Sequence, residues 1–155
     1  MHPSKGFTLI EILIALAVIG ILSAIAFPRI SGSSAKARTS ELPVAASAYT
    51  TLQTLYVGEH ARIGNWRSIG YSAPENGETF LYSEGDIVTD SPIENLQEGS
   101  VGWKAVNIFE LNGCRKGNFW TVSLWGEPGN SVRYQNSVSA SECGHLASNW
   151  KTSSP

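Results

Sequence analysis

A single carboxylate, that of Glu11, interrupts an otherwise apolar run near the start of the chain. The run covers 22 residues, from Phe7 to Pro28, and has no other acidic or basic side chain. As an α-helix rising about 1.5 Å per residue it is roughly 33 Å long, enough to cross a hydrocarbon core of about 30 Å. Because an acid inside a membrane-spanning helix is costly and usually functional, Glu11 is the first candidate site residue.

Two kinds of export signal are compatible with this run. A secretory signal peptide ends in a small-x-small cleavage site, and Ala24-Ile25-Ala26 fits that pattern. Small residues are also common in any membrane helix that packs against others, which weakens the match. The second kind is indicated by the segment Lys5-Gly6-Phe7-Thr8-Leu9-Ile10-Glu11. This segment resembles the class III signal of type IV pilins and pseudopilins.

The resemblance has direct implications for processing. In that family a prepilin peptidase cuts after the glycine on the cytoplasmic side and methylates the new amino terminus. The resemblance implies that the cut falls between Gly6 and Phe7 here and that Phe7 becomes N-methylated. Residues 1–6 are then a leader, and residues 7–28 stay on the mature protein as its transmembrane and filament-core helix. Pro28 matches a proline common in the same helix of type IVa pilins.

Glu11 corresponds to the glutamate that the family uses in assembly at the fifth mature position. Cleavage leaves a cationic amino group on Phe7. In a bundle of such helices, the ammonium of one subunit can lie beside Glu11 of another, and pairing offsets much of the desolvation cost of both charges. The alternative is a carboxylate near the helix start that the helix dipole stabilises.

The residues after Pro28 predict an amphipathic second half of the helix, over residues 29–57. Pro28 and Pro43 each remove a backbone donor, so we expect kinks at both. Apolar positions recur at spacings of three and four residues, which marks one face of a helix. These positions are Leu42, Ala45, Tyr49, Leu52 and Tyr56.

Residues 58–155 predict a globular head. A stretch rich in Gly and Pro over 58–78 indicates a loop, which the resemblance identifies with the variable αβ-loop of pilins. Alternation predicts strands over 79–82, 119–125 and 131–138, while 103–111 fits either a strand or a helix. We therefore expect an α+β, pilin-like fold. Its long kinked N-terminal helix packs on a small antiparallel sheet of three or four strands. The tail, Cys143 to Pro155, is expected to be pinned by the cysteine and then to fray.

Two cysteines, Cys114 and Cys143, lie in the last third of the chain. An even number in an exported chain suggests a disulfide, here closing a loop of about 30 residues. Many type IV pilins have such a C-terminal bridge, which favours this pairing. Two buried free thiols are the alternative.

Several classes of function find no support in the sequence. The net charge of −2 is not the footprint of a nucleic-acid-binding protein. No nucleophile elbow, phosphate loop, dinucleotide fingerprint or zinc-ligand spacing occurs, so we expect neither an enzyme nor a cofactor. Acidic residues are dense at five positions without forming a known calcium motif, which favours a solvated loop. They are Glu75, Glu78, Glu84, Asp86 and Asp90.

Tryptophan is abundant, with five residues in the chain. Burial in a small core accounts for most of them, because the side chain is large. Exposed rings are platforms for stacking on sugars, so contact with a polysaccharide or another surface stays open. The five are Trp66, Trp103, Trp120, Trp125 and Trp150.

The resemblance implies a structural subunit that polymerises through its N-terminal helix into an extracellular type IV pilus, for adhesion, motility or uptake. Its partners are copies of itself, the prepilin peptidase, the pilus assembly machinery and, before assembly, the bacterial inner membrane. A pseudopilin or minor pilin of a type II secretion-like machine is one alternative. A membrane-anchored carbohydrate-binding module is another, from a different class.

Overall fold

The computed structural model of this chain describes residues 6–75, 79–87, 90–96 and 99–152. The chain divides into two compact units, Met1–Ser34 and Ala35–Pro155. Two helices account for the first part of the sequence, α1 over Leu9–Thr39 and α2 over Glu41–His60. Of these, the part Leu9–Phe27 is long and apolar enough to span a membrane.

Ser40 separates the two helices, since α1 ends at Thr39 and α2 begins at Glu41. The N–H of Ser40 donates to the carbonyl of Lys36 at 3.1 Å, and its hydroxyl donates to that of Ala37 at 2.6 Å. Pro43 lies in the first turn of α2, where a missing N–H costs little. In a continuous helix its ring would clash with the carbonyl four residues back, that of Thr39, which is the last residue of α1.

The sequence allowed for a helix without interruption from Phe7 to about residue 57, whereas the structure has two helices. Helix α1 continues through Pro28, whose side chain lies outside the described part. The kinks expected at Pro28 and Pro43 stay predictions.

The buried face of α2 differs in part from the face that the sequence predicted. Leu52 and Tyr56 are only half-buried, while Gln53 and Val57 take the most buried positions in that part of the helix. Apolar periodicity does not identify Gln53, because a buried amide is acceptable only when its hydrogen bonds are satisfied. The buried residues of α2 are Leu42, Ala45, Ala46, Tyr49, Gln53 and Val57.

Within the described ranges, five strands form one sheet in the order in which they follow each other in the chain. They are β1 (Phe80–Ser83), β2 (Ser100–Asn107), β3 (Phe119–Glu127), β4 (Ser131–Val138) and β5 (Lys151–Thr152). The first four pair antiparallel, but β5 pairs parallel to the end of β4. The sheet is therefore mixed and has one more strand than expected. The ambiguous region over 103–111 contributes the second half of β2.

The part of the tail from Gly144 to Thr152 is ordered beyond the anchor that the cysteine supplies, while residues 153–155, where fraying was expected, lie outside the described part. Trp150 is 5% exposed and its ring centroid lies 5.8 Å from that of Trp103, which is fully buried. Burying a tryptophan removes a large apolar area from water. This anchor holds the next two residues beside β4, where they form β5.

The loop between α2 and β1 is joined to the core by Tyr71. Its hydroxyl accepts a hydrogen bond from the Trp103 ring nitrogen at 2.8 Å and donates to the Ala45 carbonyl at 3.2 Å. Burial raises the pKa of the Tyr71 hydroxyl, so it remains protonated and able to donate. One side chain thus connects the loop, the sheet and α2.

The predicted disulfide is confirmed. Cys114 and Cys143 are bonded, with Cα atoms 4.8 Å apart and a sequence separation of 29. Cys114 follows β2 in a turn that Asn107 closes by donating to the Arg115 carbonyl at 2.9 Å, and Cys143 lies in a short 3₁₀ helix, Ser141–Leu146. The bond connects the turn between β2 and β3 to the C-terminal segment.

Removing the disulfide should lower the stability of the head. Loop-closure entropy for this span predicts a loss of about 3 to 4 kcal/mol in the free energy of unfolding for the double variant Cys114→Ser, Cys143→Ser. Denaturant unfolding of both proteins in the same detergent measures the difference. Under reducing conditions the unfolding midpoint of the wild-type protein should also fall. An unchanged midpoint for the double variant would contradict the estimate.

Candidate functional site

The bond between Gly6 and Phe7 lies in irregular backbone just ahead of α1. Residues 6–8 are not helical, and both Gly6 and Phe7 are exposed, Phe7 by 84%. Exposed segments without regular structure are where proteases cut most readily. The predicted cleavage position therefore has a geometry that a peptidase can reach.

Thr8 and Glu11 close the N-terminus of α1 by a reciprocal pair of interactions. The backbone N–H of Thr8 donates to Glu11 Oε2 at 2.9 Å, and the Thr8 hydroxyl donates to the same oxygen at 2.8 Å. In return the N–H of Glu11 approaches Thr8 Oγ1 at 3.4 Å. This is a capping box, which satisfies donors that the first helical turn leaves without partners.

Thr8 is thus a site residue that the sequence analysis did not single out. Its signal was present, because Thr8-Leu9-Ile10-Glu11 has the Thr-x-x-Glu spacing directly before an apolar run.

The capping interactions use only one carboxylate oxygen of Glu11. Within the described part of the chain, Oε1 of Glu11 has no hydrogen-bond partner. The carboxylate keeps one oxygen and its charge for a second partner.

The surface around Glu11 is apolar on every side of the helix. All described side chains from Gly6 to Phe27 are exposed, so no part of this segment is covered within its own unit. An exposed apolar surface of this size needs a lipid or protein partner. Large exposed side chains here include Leu9, Ile10, Leu13, Ile14, Leu16, Ile19, Ile21, Leu22 and Ile25.

The acidic residues of the head do not converge. Glu84 accepts a hydrogen bond from the backbone N–H of Trp66, and Asp90 accepts one from the Tyr56 hydroxyl at 3.4 Å. Glu75 and Asp86 are exposed, and Glu78 lies outside the described residues. Across the described ranges, no three potential metal-binding side chains come together.

Three of the five tryptophans belong to the core: Trp103, Trp120 and Trp150. Trp66 and Trp125 are half-buried. The Trp66 ring nitrogen donates to the Gly102 carbonyl at 3.0 Å, and the Arg133 guanidinium lies 4.6 Å from the centroid of the Trp125 ring. A cation already occupies a face of Trp125 that a sugar would need for stacking.

Gln53 secures the loop that follows α2, and it too was missed by the sequence analysis. With its amide oriented to satisfy both groups, the nitrogen donates to the Gly64 carbonyl at 2.9 Å and the oxygen accepts from the Gly64 N–H at 3.1 Å. Gln53 is fully buried. The two hydrogen bonds hold the loop at Gly64 against α2.

Replacing this amide should destabilise the head. Gln53→Met keeps the length and helix propensity of the side chain but leaves two buried backbone groups of Gly64 without partners, at a cost of roughly 1–3 kcal/mol. The exposed neighbour Thr51 offers a control, since Thr51→Met should change stability by less than about 0.5 kcal/mol. Denaturant unfolding compares them, and equal midpoints would show that the Gly64 groups find other partners.

Comparison with known proteins agrees with these features. Residues 1–27 match the family model described as a prokaryotic N-terminal methylation motif. The chain is 32% identical over 136 residues to a type IV major pilin protein PilE1 of Neisseria gonorrhoeae, covering 84% of this chain and 67% of that protein. It is 34% identical over 123 residues to a PilE of the same species, covering 79% of this chain and 67% of the relative.

A third relative is the type IV major pilin protein PilA of Myxococcus xanthus, 36% identical over 96 residues. That alignment covers 61% of this chain but only 43% of the Myxococcus protein, so the chain spans less than half of that relative's length. No solved structure matches the chain significantly.

Proposed function

Since this chain belongs to the type IV pilin family, we propose that it is a structural subunit that polymerises through its N-terminal helix into an extracellular type IV pilus, for adhesion, motility or uptake. The observation that carries the proposal is the capped, fully exposed apolar helix with one carboxylate near its start. A filament whose core is a bundle of such helices would bury that surface. The names of the relatives favour a pilin over a pseudopilin, and a structural role over a catalytic one.

The proposed life cycle begins in the bacterial inner membrane. A prepilin peptidase removes residues 1–6 and methylates Phe7, while residues 7–28 hold the precursor in the bilayer. The assembly machinery then transfers the subunit into the filament. The amphipathic half and the head, residues 29–57 and 58–155, form the outer layer. The N-terminal methylation motif over residues 1–27 supports the processing step of this proposal.

Glu11 has two separable tasks in this proposal. Its Oε2 closes the helix start through Thr8, and its charge, accessible at Oε1, pairs with the Phe7 ammonium of a neighbouring subunit. An ammonium buried in an apolar bundle without a counter-charge is strongly unfavourable. The capping interaction is intramolecular and is available in the membrane, whereas the ion pair needs a second copy.

Processing is tested by intact mass. Removal of the first six of 155 residues leaves a mature chain of 149 residues that begins at Phe7 and has one additional methyl group. Ala26→Leu serves as the control, because it would block an ordinary signal peptidase but should leave this product unchanged. A product of 129 residues starting at Phe27 would overturn the proposed processing.

The two tasks of Glu11 are separated by a set of variants. Glu11→Gln retains a capping side chain but removes the charge, so it should insert and be cleaved normally while filament yield falls roughly tenfold or more. Glu11→Ala and Glu11→Leu should fail similarly, and Glu11→Asp should be intermediate. Thr8→Val removes the capping hydroxyl and keeps the charge, so most filament yield should remain.

The measurement is the ratio of sheared filaments to membrane-bound subunit, with each variant expressed as the sole pilin. Immunoblots verify cleavage and membrane level. Normal yield from Glu11→Gln would refute the pairing role and leave the carboxylate as a helix cap. A membrane-anchored module that does not polymerise predicts no filaments from the wild-type chain either.

A further inference from the structure

A groove runs along one side of the head between α2 and the free edge of β4; we call it the β4 groove. Its largest part has a volume of about 530 Å³. The Tyr134 hydroxyl and Thr54 Oγ1 are hydrogen-bonded across the groove at 3.0 Å, and burial raises the pKa of Tyr134 to about 12, so the hydroxyl stays protonated. Besides Tyr134, this part is lined by Thr50, Arg133, Gln135, Asn136, Asn149 and Lys151, and Thr54 lines the adjoining part.

The edge of β4 beside the groove is only partly paired. β3 covers the other side of β4 along its whole length, whereas β5 reaches only Ser137 and Val138. The N–H of Ser139 donates to Phe119 on the β3 side, so by alternation the N–H and C=O groups of Val132 and Tyr134 point away from β3. An open edge of this kind is a template for a segment of another chain.

The charges that line the β4 groove are positive. Arg133 and Lys151 are both exposed, and among its described lining residues there is no carboxylate. Arg133 is paired with Glu127 at 3.1 Å, just outside the lining. Lys151 has no ion-pair partner within the described residues.

The opposite edge of the same sheet is acidic. β1 is the other edge strand, and it is followed directly by Glu84 and Asp86, both exposed. Opposite charges on the two edges disfavour a symmetric dimer, which would place like against like. They favour a heterologous contact, in which the edge of one copy meets the other edge of the next and the contact repeats along a polymer.

We infer that the β4 groove receives the acidic edge segment 84–87 of a second copy in the filament, with Asp86 beside Lys151. The inference rests on the proposed function, because an open series of such contacts requires a polymer. Leu55 is 60% exposed and lines the apolar end of the groove, so the same contact covers an apolar side chain as well.

Oxidative cross-linking within filaments tests the geometry. The double variant Asp86→Cys, Lys151→Cys should give a ladder of multimers on a non-reducing gel, because each copy then links to two others. Each single-cysteine variant should give no ladder. A product that stops at the dimer, or no cross-link in filaments that do form, overturns the heterologous contact.

Charge reversal tests the electrostatics. Lys151→Glu and Asp86→Lys should each lower filament yield roughly two- to fivefold, the range expected for one exposed ion pair, and the combination should recover most of it. Lys116→Glu, an exposed reversal in the turn before β3, is the control and should have no effect. Equal yields for all variants overturn the inference, while a wild-type chain that forms no filament overturns the proposed function as well.

Discussion

The carboxylate of Glu11 accepts both hydrogen bonds that Thr8 offers and thereby closes a helix whose apolar side chains have no cover within their own unit. The first turn of any helix has N–H groups without partners, and in an apolar surrounding no water is there to bind them. A cap supplied by the chain itself lets the helix exist in lipid and in a protein bundle alike. The remaining carboxylate oxygen is free for the intermolecular ion pair that we propose for the bundle.

Moving this helix from a bilayer into a helix bundle changes its hydrophobic free energy little, since lipid tails are as apolar as leucine side chains. A preference for the proposed filament must therefore come from other terms. The ion pair between neighbouring helices and the polar contacts between heads that we propose would form only in the polymer. One acid in the helix and the charged sheet edges of the head therefore matter to the proposed assembly, although each is a small part of the surface.

The head is stabilised by a core of modest size and by hydrogen bonds and one disulfide that fasten segments without regular structure to that core. Gln53 binds both backbone groups of Gly64, Tyr71 connects the following loop to Trp103, and the disulfide fastens the C-terminal segment. Loops without regular structure leave backbone groups to be satisfied by other means. Side chains that bond backbone groups meet that need in this head.

Local patterns in the sequence determined the apolar helix, the Gly6-Phe7 junction, the position of Glu11 and the strands β3 and β4, because periodicity and composition report on contacts between near neighbours. With two cysteines in the chain, the pairing had one solution once a disulfide was expected. The Thr8 cap was also encoded locally, by the spacing Thr8-Leu9-Ile10-Glu11. Only the tertiary structure decided that Gln53 is buried rather than exposed, that β5 lies parallel to β4, and that the tail is anchored by Trp150. Each of these depends on a partner distant in sequence, Gly64 for the amide and Trp103 for the indole, and a buried polar group or an added strand is stable only when that partner is in place.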